Sequence, residues 1–284
     1  MSLRKVGSYA VLVFILMWSL GPIYWTLRTS LAGPNDLTSI PPKYLPWPAS
    51  FDNYARLFGL SADAGNAQGS LWPTFESAAV NSLVTCLAST VVVVVIAIFA
   101  GYVFARLRFI GGRLIFGLLI ATLAIPAYGV IIPLYRIMVS LQLIDTYQGI
   151  TLIYVSAFAP LAIWILRGHF AAIPLELDEA ALVDGASRFR VILTVLPAAL
   201  PGVAATGILT FLAAWSQFSI PLVFSPTLAT KPLTVLISEF VGKNSVDYGL
   251  ITAASMVTVA PPILIVVLLN RYLVSGLAAG AVKG

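Results

Sequence analysis

Charge is what this chain has least of. Asp, Glu, Lys and Arg make up 10% of its 284 residues, against roughly 25% in a soluble globular chain. Cysteine and histidine occur once each, at Cys86 and His169. No disulfide can therefore close within the chain, and a zinc site built from His and Cys ligands is excluded. No G-x-x-x-x-G-K-[ST] loop, H-E-x-x-H helix or G-x-S-x-G turn is present, so the chain carries no phosphate-binding loop, zincin site or nucleophile elbow of its own. No polar domain exists on which the 16 Lys and Arg could form a nucleic-acid surface, and a nucleic-acid partner is not expected.

What is there instead is grease: 60% of the residues are hydrophobic, and a helix that spans hydrocarbon needs about 20 mostly apolar residues. Six stretches qualify, Tyr9–Leu27, Ala78–Phe104, Leu114–Met138, Gly149–Leu166, Leu200–Phe224 and Leu250–Leu273. The expected fold class is an all-α integral membrane protein of six transmembrane helices, a single domain over residues 1–284. The first stretch follows Arg4 and Lys5 as a signal peptide would. It is longer than the usual signal core of about 7–15 residues and is read as a retained span. None of the six carries a charged group at its centre, which argues against an ion-coupled or proton-coupled transporter. Arg28, Arg136, Arg167 and Arg271 fall at span ends, where snorkelling accounts for them. Pro126, Pro133, Pro221 and the Pro261-Pro262 pair are positioned to kink or break spans.

With the N-terminus inside, ten Lys and Arg lie on the cytoplasmic side and six outside. The loop between spans two and three decides the orientation, with three Arg (Arg106, Arg108, Arg113) in eight residues and no acid. Both termini are then cytoplasmic. Outside lies a long connection, residues 32–76, rich in Pro and Trp ("PPKYLPWP"). It reads as a structured cap with interfacial aromatics or as a docking surface for an external partner. The later connection "SPTLATKPLTVLISEFVGKNSVDYG" reads as a segment that dips back against the bundle, with Glu239 in it.

One substantial loop remains inside, residues 167–199. It holds "PLELDEAALVDGASRFR", with four of the chain's eleven acids. Glu176, Asp178 and Glu179 suit the start of a short helix, where the dipole favours negative charge, and Pro174 suits its first turn. Gly185 is placed to end it in a left-handed conformation. Ser187 can cap a second short helix through "RFRVILTVL". Ala180, Ala181, Gly185 and Ala186 form a narrow ridge suited to insertion into a cleft. Arg188 and Arg190 stand at a helix N-terminus, where cations are disfavoured unless they find partners. Two readings follow, a solvated loop or a protein-docking element, and the ridge and the two Arg favour docking.

"EAALVDGAS…VLP" resembles the EAA loop of permease subunits of bacterial ATP-binding-cassette importers. Along nearly the whole chain, "FDNYARLF", "NSL", "YVFARLRF", "IIPLY", "PLAIWILRGHF", "YGLITAAS" and "GLAAGAVKG" are similar to the maltose-type carbohydrate permeases, specifically the subunit with the short Gly/Ala tail. The resemblance implies a coupling helix that seats on an ATPase, with Glu179, Ala180, Ala181, Asp184 and Gly185 matching its motif and Leu196-Pro197 its closing pair. Ser187, Arg188 and Arg190 join that coupling set. The tail 274–284, with Gly276, Gly280 and Lys283, matches the segment that reaches toward the ATPases. The implied partners are a second homologous permease, two ATPase subunits and an extracytoplasmic sugar-binding protein, in a bacterial cytoplasmic membrane. ATP and Mg would sit on the ATPases, with no cofactor and no catalysis on this chain. Two departures stand out: the loop from Glu179 to Pro197 is one residue shorter than the family pattern, and Ser216 follows Trp215 where Asn is expected.

A sugar path needs hydroxyls, amides and aromatic faces without fixed charge. Trp215, Ser216, Gln217, Ser219 and Asn81 are the candidates, with Thr85, Thr122 and Tyr128 behind them. Ser and Thr in spans also serve as helix–helix hydrogen-bonding groups, which is the structural alternative for each. The function expected is the permease subunit of an ATP-driven, binding-protein-dependent importer of di- or oligosaccharides. The alternatives are a secondary transporter working without ATPases and a non-transporting membrane scaffold.

Overall fold

Long apolar stretches without acids leave the backbone one economical way to satisfy its N–H and C=O groups in hydrocarbon, the α-helix. In the computed structural model, which describes residues 3–37, 39–60, 71–240 and 246–281, all regular elements are helical. In order they are α1 (Leu3–Ser30), α2 (Pro34–Leu37), α3 (Asp52–Leu57), α4 (Trp72–Arg106), α5 (Gly112–Ala121), a 3-10 turn (Thr122–Ala124), α6 (Ala127–Ser140), α7 (Tyr147–Ala172), α8 (Glu176–Val183), α9 (Arg188–Trp215), α10 (Ser219–Phe224), α11 (Leu233–Glu239) and α12 (Tyr248–Ala281). Five of them, α1, α4, α7, α9 and α12, are long and apolar enough to cross a membrane. A sixth crossing exists only if α5 and α6 count together.

That pair occupies the expected third span, Leu114–Met138, broken at Pro126, one of the prolines positioned to break a span. The two halves are bent by 106°. The cause is local: a proline pushes the residue before it out of the α region, and Ile125, before Pro126, is extended with ψ 123°. The other candidate kinks behave differently. Pro133 lies inside α6 and Pro221 inside α10, and α12 runs uninterrupted through Pro261-Pro262.

The fifth span is corrected. The expected short helix after Ser187 and the start of the expected span Leu200–Phe224 are one helix of 28 residues, α9, which ends at Trp215, short of Phe224. At 1.5 Å per residue it is about 42 Å long. Pro197 and Pro201 lie within it; such prolines are tolerated where neighbouring helices re-satisfy the freed carbonyls. The break comes at "SQF", after which α10 starts anew.

The chain divides into two compact units, residues 1–79 with 233–261, and residues 80–232 with 262–284. In the first, the segment after α1 is stitched to that helix by polar groups. Arg28 is buried, donates to Lys43 O (2.7 Å) and Asp36 O (3.3 Å), and lies over the Trp25 ring. It does not snorkel; it anchors the loop. Asn53 donates to Ser30 O and Ala32 O, and Tyr24 to Tyr44 O. Arg56 pairs with Asp247 at 2.7 Å.

The second unit is built on α7 and α9. About half of each helix's most apolar window is buried, 50% and 44%, against 28% for α4. Its core joins Val93, Ala97 and Tyr102 of α4, Ile163, Leu166 and Phe170 of α7, and Val191, Val195 and Ala199 of α9. Gly202 permits the close approach of α9 to α7: a Cβ there would fall 2.4 Å from His169 Cγ. The single histidine is thus a packing residue against a glycine. Arg167 is likewise held by protein, donating to Phe104 O and lying 4.5 Å over the Phe116 ring.

Candidate functional site

Two places gather the sequence-predicted residues. The first is the polar loop between α7 and α9. Glu176, Asp178 and Glu179 occupy the first turn of α8, and Pro174 precedes the helix without entering it. The helix closes with Gly185 N–H donating to Leu182 O and Ala186 N–H to Ala181 O, both at 3.0 Å. Gly185 has φ +82°, the left-handed conformation that side chains disfavour, and nothing lies within 4 Å of a Cβ built on it. Its demand for glycine is conformational, not steric. Ser187 then caps α9, its Oγ accepting from Arg190 N–H.

The faces of α8 differ from the ridge expected. Ala181 is buried in the core and Ala186 packs against it. Glu179, Ala180, Asp184, Gly185, Ser187, Arg188 and Arg190 are exposed. The outward surface is therefore a stripe of acid, alanine and glycine on α8 beside two cations on α9, and Arg188 and Arg190 form no ion pair among the described residues. Phe189 between them stacks on Phe99 at 5.8 Å.

The residue that sequence reasoning missed is Asp178. By position it is one of three acids favoured by the helix dipole, but it faces inward. Tyr102 O–H donates to Asp178 Oδ1 at 2.5 Å, and Arg106 NH2 lies 3.3 Å from Oδ2. Arg106 also donates to Ile173 O at 2.6 Å. The available signal was the spacing of Tyr102 and Arg106, one turn apart in the last turns of an apolar helix, where a hydroxyl and a guanidinium need a partner.

The second place is where two helices are interrupted. α9 stops at Trp215 and α10 starts at Ser219; α5 and α6 are interrupted at Ile125-Pro126. The two breaks are joined: Tyr128 OH and Ser219 Oγ share a hydrogen bond of 2.9 Å. Tyr128 is 75% exposed, Ser216 is exposed, and Gln217 and Ser219 are half-buried. Ser216 Oγ donates back to Ala213 O. Trp215 is turned inward and stacks on Phe211 at 5.5 Å. Interrupted backbone at membrane depth is tolerated where it lines a cavity or is covered by protein, and at this break the hydroxyl-bearing residues Tyr128 and Ser216 are exposed.

Asn81 does not belong to that group. It is 3% exposed, its Nδ2 donates to Leu228 O (2.9 Å) and Lys231 O (3.1 Å), and its Oδ1 accepts from Tyr147 OH (2.5 Å). Its amide is consumed in clamping the segment after α10, which Asp145 holds as well by accepting from Thr227 and Thr230. Thr85 and Thr122 donate to carbonyls of their own helices. Of the tail residues, Gly276 and Gly280 continue the α12 backbone, and Lys283 lies outside the described residues.

Residues 93–278 match the family model described as binding-protein-dependent transport system inner membrane component. The chain is 33% identical over 290 residues to the trehalose transport system permease protein SugB of Mycobacterium tuberculosis, covering 100% of both. It is 31% identical to the trehalose/maltose transport system permease protein MalG of Thermococcus litoralis, covering 97% of this chain and 95% of that one. Its fold resembles a chain in the crystal structure of a bacterial ABC transporter involved in the import of the acidic polysaccharide alginate, with a TM-score of 0.80 over 95% and 96% of the two chains at 19% identity.

Proposed function

Because the chain belongs to the family of binding-protein-dependent transport system inner membrane components, we propose that it is the permease subunit of an ATP-driven sugar importer, docked to an ATPase through the outward face of α8. A second, homologous permease completes the translocation path, and an extracytoplasmic binding protein delivers the sugar. ATP and Mg²⁺ are bound and used by the ATPases, not by this chain. The Arg-rich turn between α4 and α5 and the α8 loop lie at one end, joined by the Arg106–Ile173 bond. That supports a cytoplasmic placement of both, and with it cytoplasmic termini.

The observation that carries the reading is the continuity of α9. One helix runs from Ser187, at the edge of the docking surface, to Trp215, at the polar break. A displacement of α8 by the ATPase enters α9 through the short Gly185–Ser187 turn and enters α4 through Asp178. A helix about 42 Å long then moves the Ser216–Ser219 break relative to its surroundings. Such rigid-body transfer couples two ligands, ATP and sugar, that bind far apart on different chains. The residues at the breaks offer hydroxyls, an amide and no charge, which suits a neutral di- or oligosaccharide.

The test is purification in mild detergent after co-expression with the neighbouring transporter subunits. Co-purification of ATPase subunits, with hydrolysis stimulated by the loaded binding protein, is the expected result. A chain that purifies alone and moves sugar without ATP would overturn the reading in favour of a secondary transporter.

A further inference from the structure

Beside the Asp178 network lies a cleft of about 970 Å³ at the turn from α4 to α5. Arg106, Arg108, Arg113 and Arg167 all line it, and no acid does. An adjoining cleft shares Arg106 and Arg108 and adds Arg188. Arg106 is neutralised by Asp178. Arg108 and Arg113 are exposed and form no ion pair among the described residues. The start of α5 compounds the imbalance. Its cap position is Gly111, with no side-chain cap bond, and its first turn holds a cation, Arg113, and no acid. That is the reverse of what a helix dipole favours, and uncapped first-turn amides are themselves donors to anions. Arg106 Nε is itself buried without a hydrogen-bond partner.

The surroundings select the anion's carrier. Leu114, itself a lining residue, begins an exposed apolar strip with Ile115 and Leu118 along α5, and Ile110 is fully exposed at the turn. A soluble acidic partner gains nothing from that strip; an acyl chain does. We propose that this cleft is a binding site for the phosphate headgroup of an anionic phospholipid, whose chains lie along the outer face of α5. Basic pockets between spans at the cytoplasmic face recognise such headgroups. The guanidiniums of Arg108 and Arg113 take the phosphate oxygens as charge-assisted acceptors.

The experiment uses the complete importer in nanodiscs of phosphatidylcholine with or without phosphatidylglycerol, followed by release into detergent and native mass spectrometry. The wild type is expected to retain phosphatidylglycerol in preference to phosphatidylcholine. Each Arg near an anionic surface is worth on the order of a fivefold change in affinity, so R108Q/R113Q should weaken retention roughly thirtyfold. R108K/R113K, which keeps the charge, should recover most of it, and both variants should keep their ATPase subunits. Equal retention by wild type and R108Q/R113Q would overturn the proposal. So would displacement of the lipid by millimolar inorganic phosphate, which would assign the cleft to a soluble anion. Loss of ATPase subunits from R108Q/R113Q with lipid retention unchanged would assign the patch to the ATPase instead.

Discussion

Tyr102 and Asp178, 76 residues apart, share a 2.5 Å hydrogen bond that ties helix α8 to the end of α4. Arg106, one turn further along α4, holds the same carboxylate as an ion pair in which the side chains are 6% and 10% exposed. Removing one member of a buried pair strands the other charge and costs about 3–5 kcal/mol. Asp178→Ala is expected to lower the stability of the assembled subunit by that order. Tyr102→Phe should cost less, about 1.5–3 kcal/mol, the range for a bond to a charged group. Because both act through one carboxylate, the double variant should be no worse than Asp178→Ala alone. Denaturation midpoints of the purified complex measure all three. Under the coupling role proposed for α8, transport per ATP hydrolysed should fall further than hydrolysis does.

Gly185 separates a conformational requirement from a steric one. Its φ is +82° and a Cβ would meet nothing within 4 Å. A β-branched residue at this position pays the left-handed penalty of roughly 1–2 kcal/mol, with no clash at its Cβ. Gly185→Val is therefore expected to reorient the α8–α9 turn and reduce sugar uptake while hydrolysis continues. Gly185→Asn, which tolerates the left-handed region, should retain most uptake. Equal loss in both would mean that bulk at this exposed turn, not backbone conformation, sets the requirement.

The two polar breaks and the Asn81 clamp should respond differently to substitution. Tyr128→Phe and Ser219→Ala each remove the hydrogen bond that joins the breaks. A neutral bond of this kind is worth about 0.5–1.5 kcal/mol, so up to roughly a tenfold rise in half-saturating sugar concentration is expected, with basal ATP hydrolysis unchanged. Asn81→Ala removes the amide bonds to the carbonyls of Leu228 and Lys231. It should lower stability by about 1–3 kcal/mol and leave the ranking of transported sugars as it is. Uptake assays with a panel of neutral sugars, beside thermal denaturation, distinguish these outcomes.

Local chemistry was legible where the local chain decides it. The acids at the start of α8, the left-handed Gly185 and the Ser187 cap all follow from residues within a turn of one another, and the apolar runs announce the long helices. What the sequence hid depends on distant partners. Asp178 looks like its neighbours Glu176 and Glu179 until Tyr102 and Arg106 are placed beside it. Asn81 looks like an available amide until the loop after α10 returns to it. Proline has opposite outcomes in the third and fifth spans. Pro126 breaks its helix because Ile125 goes extended, whereas Pro197 and Pro201 remain within α9. A proline's local preference is the same in both settings; whether the surrounding helices re-satisfy the freed carbonyls is a tertiary property.

The contact between α7 and α9 offers a sharper test of that packing. A Cβ at Gly202 would sit 2.4 Å from His169 Cγ and 2.5 Å from Cδ2. Real side chains do not approach so closely, so Gly202→Ala must displace the imidazole or spread the helices. Overpacking of this kind costs typically about 1–3 kcal/mol. If the clash is the whole cause, His169→Ala should relieve it. The double variant Gly202→Ala with His169→Ala is expected to be more stable than Gly202→Ala alone, a coupling that neither single change can mimic. The two helices also form the centre of the unit that carries both the exposed stripe of α8 and the polar break. A spread between them should therefore lower transport even where the complex still assembles, and recovery of uptake in the double variant would tie that loss to this one contact.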